Sequence, residues 1–165
     1  MTTAALLHPS VREHLERLGL PFEAMECDPA LADTAAFVEA YGVPLDRSAN
    51  TIVVASKGAE PTYAACVVLA TTSLDVNRVV RREMGVRKAS FAGADPVRAL
   101  TGMEIGGVTP FGLPGDLPIL VDARVMEQPW IVLGGGNRSS KLKLAPSVLA
   151  LVPMVRVVDG LALLR

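Results

Sequence analysis

The stretch from Thr101 to Gly112 reads Thr-Gly-Met-Glu-Ile-Gly-Gly-Val-Thr-Pro-Phe-Gly and carries the clearest chemical potential in the chain. Adjacent Gly106 and Gly107, followed by Pro110, let the main chain present consecutive N–H groups with no side chain in the way of a carbonyl or phosphate oxygen. Donors arranged so can stabilise a developing oxyanion. The same composition also makes an ordinary tight turn. A second run, Gly134-Gly135-Gly136, leads through Asn137 to Arg138 and Lys141. It lacks the third glycine of a dinucleotide fingerprint, and Ser140 stands where a phosphate loop of the Walker type needs glycine before lysine, which disfavours nucleotide hydrolysis. It reads either as a turn between strands or as an anion-contacting loop using Arg138 and Lys141.

Other catalytic sets are missing. His8 and His14 are the only histidines, and six residues apart near the first helix they fall on different faces, so a metal pair or a Ser-His-Asp triad is not credible. Both are read as surface residues. Cys27 and Cys66 form no Cys-x-x-Cys pair and have no histidine nearby. Cys66, in an apolar run, is read as a small core residue and Cys27 as lying at a strand end; a disulfide between them is the lesser alternative in a reducing cytosol.

These residues need a scaffold. The chain has 165 residues, one domain over 1–165 on the usual ~100–200 residues per domain. Area scaling gives a folded surface near ~7,900 Å², which leaves enough buried for a real core. Half the residues are hydrophobic, the mean hydropathy is +0.38, and 14 glycines and 12 prolines are dispersed, which excludes disorder and collagen-like repeats. The charge-free run Pro61 to Leu74 is shorter than the ~18 apolar residues a spanning helix needs. The first 16 residues reach His8, Arg12 and Glu13 before any long apolar run, so no secretory signal, a cytoplasmic location and no membrane partner are expected. Residues 1–46 carry a net charge of −6 and the remainder +5. A basic face of that kind suits an RNA end, although charge scattered over solvated helices would give the same count.

Helical spacing of Val11, Leu15 and Leu18 predicts a helix over 9–18, stopped at Gly19, followed by a strand from Phe22 to Glu26. A second helix is predicted from Asp33 or Thr34 to Tyr41, ended by Gly42. Asn50 to Ala55 and Tyr63 to Ala70 form a predicted β-hairpin across Lys57-Gly58-Ala59-Glu60-Pro61. Asp75 can cap a helix reaching Met84. A strand from Val86 to Ser90 and a helix from Asp95 to Leu100 follow, then an irregular stretch from Ile105 to Pro118. Strands are expected at Ile119–Val121, Trp130–Leu133, Lys141–Leu144 and Met154–Val158, with a short helix at Pro146–Leu151. Hairpins interleaved with helices argue for an α/β (α+β) domain with a mixed, mostly antiparallel sheet rather than a doubly wound one.

The Thr-Gly-(x)3-Gly-Gly-Val-Thr-Pro-Phe-Gly run, preceded by Ala94-Asp95-Pro96 and followed by Leu117-Pro118-Ile119-Leu120-Val121-Asp122, resembles the YbaK-type aminoacyl-tRNA deacylases. These are related to the editing insertion domain of bacterial prolyl-tRNA synthetases. The resemblance extends to both early helices, the strand Ala49 to Val54, the helix after Leu74-Asp75 and the glycine run before Arg138. It implies a sheet curled toward a barrel and flanked by helices. It also implies a free-standing enzyme that hydrolyses the ester between a wrong amino acid and the 3′-terminal ribose of tRNA, of the prolyl type.

By the same resemblance, the loop Gly106, Gly107, Val108, Thr109 and Pro110 shapes the aminoacyl pocket, and its N–H groups hold the scissile carbonyl. No metal or cofactor is implied; the aminoacyl-tRNA 3′ end is the partner, with prolyl-tRNA synthetase a candidate second one, and DNA is not expected. The family's lysine at the start of the strand is Asn50 here, beside Thr51 at the pocket wall. Asn can orient a carbonyl or a water but supplies no cation. The acidic residue often found after the late glycine run aligns with Lys141, which would restore the cation if it points into the pocket, with Gly136 and Arg138 near the RNA end. Cysteine, alanine, serine and threonine are the candidate amino acids removed. A different reading also follows from Asn50: a non-catalytic module that keeps the pocket to bind a tRNA end, an amino acid or a protein, or a subunit whose site a synthetase completes.

Overall fold

Runs of Val, Ile and Ala place one strand at the centre of the molecule. In the computed structural model, which describes residues 3–19 and 21–165, β1 spans Glu23–Glu26, β2 Ala49–Ser56, β3 Tyr63–Leu69 and β4 Thr72–Leu74. β5 spans Ala89–Phe91, β6 Ile119–Asp122, β7 Ile131–Gly134, β8 Ser140–Leu144, β9 Val155–Val158 and β10 Ala162–Leu164. Five strands make the main sheet in the order β5-β2-β3-β6-β9; β2 pairs antiparallel with both β3 and β5, whereas β3–β6 and β6–β9 are parallel. A second sheet, β1-β8-β7, is antiparallel throughout, and β4 pairs with β10 as a separate ribbon.

The central strand is buried from Ala64 to Leu69 because both of its faces are covered. Its alternation sends Ala65, Val67 and Leu69 into one core and Cys66 and Val68 into another. The first core also takes Leu133, Leu142 and Leu144 from the second sheet and Val11 and Leu15 from the first helix, so it cements the two sheets together. A parallel bridge between Ser48 and Val132 links their edges. The expected curling stops short of a closed barrel, since the strands fall into three separate sheets. The accessible surface is 8127 Å², close to the area-scaling value. Among the described residues no helix is long and apolar enough to cross a membrane.

Helix α1, Pro9–Leu18, and α2, Thr34–Tyr41, lie where periodicity and caps put them, each stopped by a glycine at positive φ. Asp75 does cap the next helix, but its carbonyl accepts from both Val79 and Val80, so Val76–Val80 opens into a π turn before α3, Arg81–Met84. The strand expected from Val86 begins only at Ala89, because the Val86 N–H closes α3 onto Arg81 while its side chain packs on the second core. Helix α4, Ala94–Thr101, starts one residue before Asp95, with Gly93 at its N-cap.

Three short strands and helices carry no periodic signal: β4, α5 (Ala123–Met126) and β10. Arg124 on α5 donates to the Ala162 carbonyl of β10, and the completely buried Asp122 before it has its carboxyl pushed up by burial, against the pull of Arg124. Both cysteines are free and buried, and burial raises the Cys66 thiol to about 12, as suits a core residue.

Candidate active site

Where the two sheets splay, a cavity of about 350 Å³ opens. Its floor is β2 from Ala49 to Val53, and its walls are the start of α2, the end of β7, the β5–α4 junction and the loop carrying Ile105, Gly106 and Val108. Five of the residues singled out from sequence line it: Asn50, Thr51, Gly106, Val108 and Lys141.

The loop is held there by backbone contact. A Cβ on Gly107 would lie 2.3 Å from the Asn137 carbonyl oxygen, and one on Gly134 would lie 2.6 Å from the Gly107 carbonyl oxygen, so the two glycine runs interlock at a distance that excludes side chains. Hydrogen bonds complete the join: Gly136 N–H to the Gly107 carbonyl at 2.7 Å, and Glu104 N–H to the Gly136 carbonyl at 3.1 Å. The late run is therefore the bed of the early one. Gly136 and Pro110 are buried in this packing, as is Thr109, whose Oγ1 has no partner among the described residues.

The expected pair of free donors is altered. Gly107 N–H donates to the Glu104 carbonyl at 2.9 Å and closes the turn, so it is not available to a ligand. Gly106 and Val108, both on the cavity wall, keep N–H groups that find no acceptor among the described residues. Gly106 has φ +90°, and a Cβ there would strike the Arg138 guanidinium. Arg138 itself is a strut and not a free cation. Its guanidinium donates to the Pro29 carbonyl at 2.9 Å, Asp33 Oδ1 at 3.2 Å and the Ile105 carbonyl at 3.3 Å, and its N–H donates to Glu104 Oε2 at 2.6 Å.

Asn50 and Lys141 face the same space. Thr34 Oγ1 donates to Asn50 Oδ1 at 2.8 Å, which fixes the amide and leaves its NH2 group as a donor. Lys141, only 8% exposed, donates to the Ala32 carbonyl at 2.8 Å and lies 4.9 Å from the centre of the Phe37 ring. Burial lowers its pKa; Arg138 pushes the same way, while Cys27 and Asp33 oppose. One bond to Ala32 leaves two of its three protons for a ligand. Val53 also lines the cavity, whereas Phe37 lies beneath Lys141 in a third core with Met25 against it. Thr34, Ile105 and Phe91 complete the wall; nothing in their spacing singled them out.

The histidines are structural, and neither is a plain surface residue. His8 Nδ1 accepts from Ser10 N–H at the start of α1. His14 Nδ1 accepts from Gly112 N–H at 2.7 Å, pinning the far end of the loop to α1, with Phe111 edge-on to its ring. Among the described residues, no three His, Cys, Asp or Glu side chains gather closely enough to share a metal ion.

Residues 28–151 match the family model of the aminoacyl-tRNA editing domain. The uncharacterized protein YwhH of Bacillus subtilis (strain 168) is 28% identical over 141 residues, covering 86% of this chain and 87% of that one. Among solved structures, the hypothetical protein APE2540 superposes with a TM-score of 0.81 at 25% identity, over 91% of this chain and 97% of that one. A proposed trans-editing enzyme for prolyl-tRNA synthetase superposes with a TM-score of 0.77 at 26% identity, over 93% of this chain and 97% of that one.

Two outcomes follow from the loop's anchoring. Gly107→Ala forces backbone against backbone and should cost about 1–3 kcal/mol or more in denaturant unfolding, whereas Gly115→Ala, with open space around it, should change stability by less than about 1 kcal/mol. His14 has its pKa lowered by burial and then by Arg17, so the native state sheds a proton that the unfolded chain retains. Its contribution is complete above about 6.5 and is lost as pH falls through the depressed native value. Thermal melts from pH 7.5 to 4.5 should show this loss in the wild type and a flatter profile in His14→Gln.

Proposed function

We propose, from the premise that the chain belongs to the aminoacyl-tRNA editing domain family, that it hydrolyses in trans the ester of mischarged tRNA, of the prolyl type. Editing of aminoacyl-tRNA follows from that membership. One observation carries the proposal: Gly106 and Val108 keep N–H groups with no acceptor among the described residues, on the wall of a cavity that also holds the Asn50 amide and the Lys141 ammonium. The similarity to a proposed trans-editing enzyme for prolyl-tRNA synthetase supports the choice of tRNA, and makes that synthetase the candidate partner, in the cytoplasm where tRNA is charged.

In this mechanism the ester carbonyl enters the cavity and its oxygen meets the Gly106 N–H. Water adds to the carbonyl carbon, and the oxyanion is held by that N–H and by the Asn50 amide. The carbon–oxygen bond to the ribose then breaks, the ribose oxygen takes the proton lost by the water, and free amino acid and uncharged tRNA leave. An activated ester presents a modest barrier, so positioning and hydrogen-bond donors suffice without a histidine base. Lys141 supplies the cation that Asn50 cannot, drawing the terminal phosphate toward the mouth. Thr51 and Val108 bound the acyl group. Arg138 and the glycines Gly107 and Gly136 act through the shape of the loop, as do Thr109 and Pro110.

Hydrolysis assays over tRNAs mischarged with cysteine, alanine, serine and threonine test the reading. Wild type should release at least one amino acid above the buffer rate, and Asn50→Ala should lower kcat/KM about tenfold or more, the cost of one lost transition-state hydrogen bond. Measurable tRNA binding with no release of any amino acid would favour the binding-module reading instead. Lys141→Ala should raise KM for tRNA more than it lowers kcat. The wild-type KM should rise with pH from below the usual lysine value of about 10.4, since burial lowers the Lys141 pKa and the neutral amine attracts no phosphate. Lys141→Ala retaining full activity would remove this residue from the scheme.

A further inference from the structure

Phe91 ends β5 at the rim of the cavity and is 62% exposed, while Phe37 and Phe111 are buried to within 1%. It is not idle surface. Among the described residues, Phe91 is the one that lines both the cavity and a neighbouring groove of about 280 Å³, whose walls include Ser73, Asp75, Asn77, Ser90 and Leu163. The ring therefore stands as a ridge between the two spaces.

Basic residues flank the strand, while Asp75 of the groove is paired with Arg78. Arg87 and Lys88 lead directly into β5, and Arg78 and Arg82 stand exposed on the helical turns, the first of which packs against this strand. Of these, Arg78 is paired with Asp75, whereas Arg82, Arg87 and Lys88 have no carboxylate partner among the described residues. An exposed aromatic face with cations on the adjoining elements, beside a groove whose apolar wall carries a few hydrogen-bonding side chains, is an arrangement that suits single-stranded nucleic acid, by stacking bases and attracting phosphates.

We propose that Phe91 is the stacking platform for the terminal base of the RNA, with the adjoining groove taking the next nucleotide. This rests on the deacylase reading for its orientation. An ester seated against Gly106 is attached to the terminal ribose, so the base on that ribose must leave the cavity at its rim, where Phe91 stands. Ser73, Asn77 and Ser90 then face the next base with hydrogen-bonding groups, and Arg82, Arg87 and Lys88 lie on the phosphate side.

Binding of an uncharged acceptor-stem RNA ending in single-stranded CCA tests this independently of hydrolysis. Wild type should bind the intact RNA about tenfold or more tightly than the same RNA lacking its terminal nucleotide, matching the value of one stacked base. Phe91→Leu, which keeps an apolar side chain but removes the ring, should abolish that preference, and Phe91→Trp should keep it. Matching melting curves would show that the variants are folded. Equal preference in wild type and Phe91→Leu overturns the proposal, as does a wild-type dimer that Phe91→Leu converts to monomer with RNA binding unchanged. Loss of the preference in Phe91→Leu alongside a wild type that hydrolyses no mischarged tRNA would sustain the base site and overturn only the deacylase reading.

Discussion

Everything at the cavity depends on two stretches of main chain touching without side chains between them. Gly106-Gly107 and Gly134-Gly135-Gly136 are separated in sequence by β6 and α5, yet the Gly136 amide donates to the Gly107 carbonyl and the two main chains lie in contact. Main-chain contact of this kind is rigid, because there are no rotamers to adjust and any added carbon must move a backbone. It is reinforced at both ends. Arg138 ties Ile105 to Pro29 and Asp33, and His14 ties Gly112 to α1.

That rigidity bears on the chemistry. Closing the turn takes the Gly107 amide, and the conformation that does so, with Gly106 at φ +90°, leaves the neighbouring amides free. A loop with both glycine amides free would lack the internal bond that holds it in place. Preorganised donors stabilise a developing charge because no reorganisation is needed when it appears. The cavity holds a lysine whose burial is offset by a carbonyl, an aromatic face and the nearby Asp33. The cation is thus located on the second sheet, across the cavity from Asn50, and the side chain on β2 is left as a hydrogen-bonding amide.

Much of the scaffold is legible in residue spacing alone. The helices 9–18 and 34–41 follow from apolar spacing and glycine stops, and the β2–β3 hairpin from β-branched runs around Gly58 and Pro61. Apolar spacing puts the start of β5 at Val86, three residues before Ala89, because Val86 is apolar for a different reason, its packing on the second core. Helix α5 and strands β4 and β10 leave no signal in the sequence because elements of three or four residues have no room for a period. In the site, Asn50 and Lys141 were marked by resemblance, whereas Thr34 and Phe91 had no distinguishing pattern. Arg138 reads as a free cation in sequence because its partners, Pro29, Asp33, Glu104 and Ile105, all lie on other segments of the chain.

The sequence by itself determined most of the element order, the mixed sheet, the membership in the editing family and the glycine loop that lines the cavity. These are properties of local spacing and of residue types at fixed offsets. Only the tertiary structure decided which amide of the glycine pair stays free, that the second glycine run is a bed for the first, that two histidines are fasteners, and that Phe91 stands at the rim. Each of those depends on contacts between segments far apart in the chain, and the energy of such a contact is set by the distance and direction that folding imposes, which no local pattern encodes.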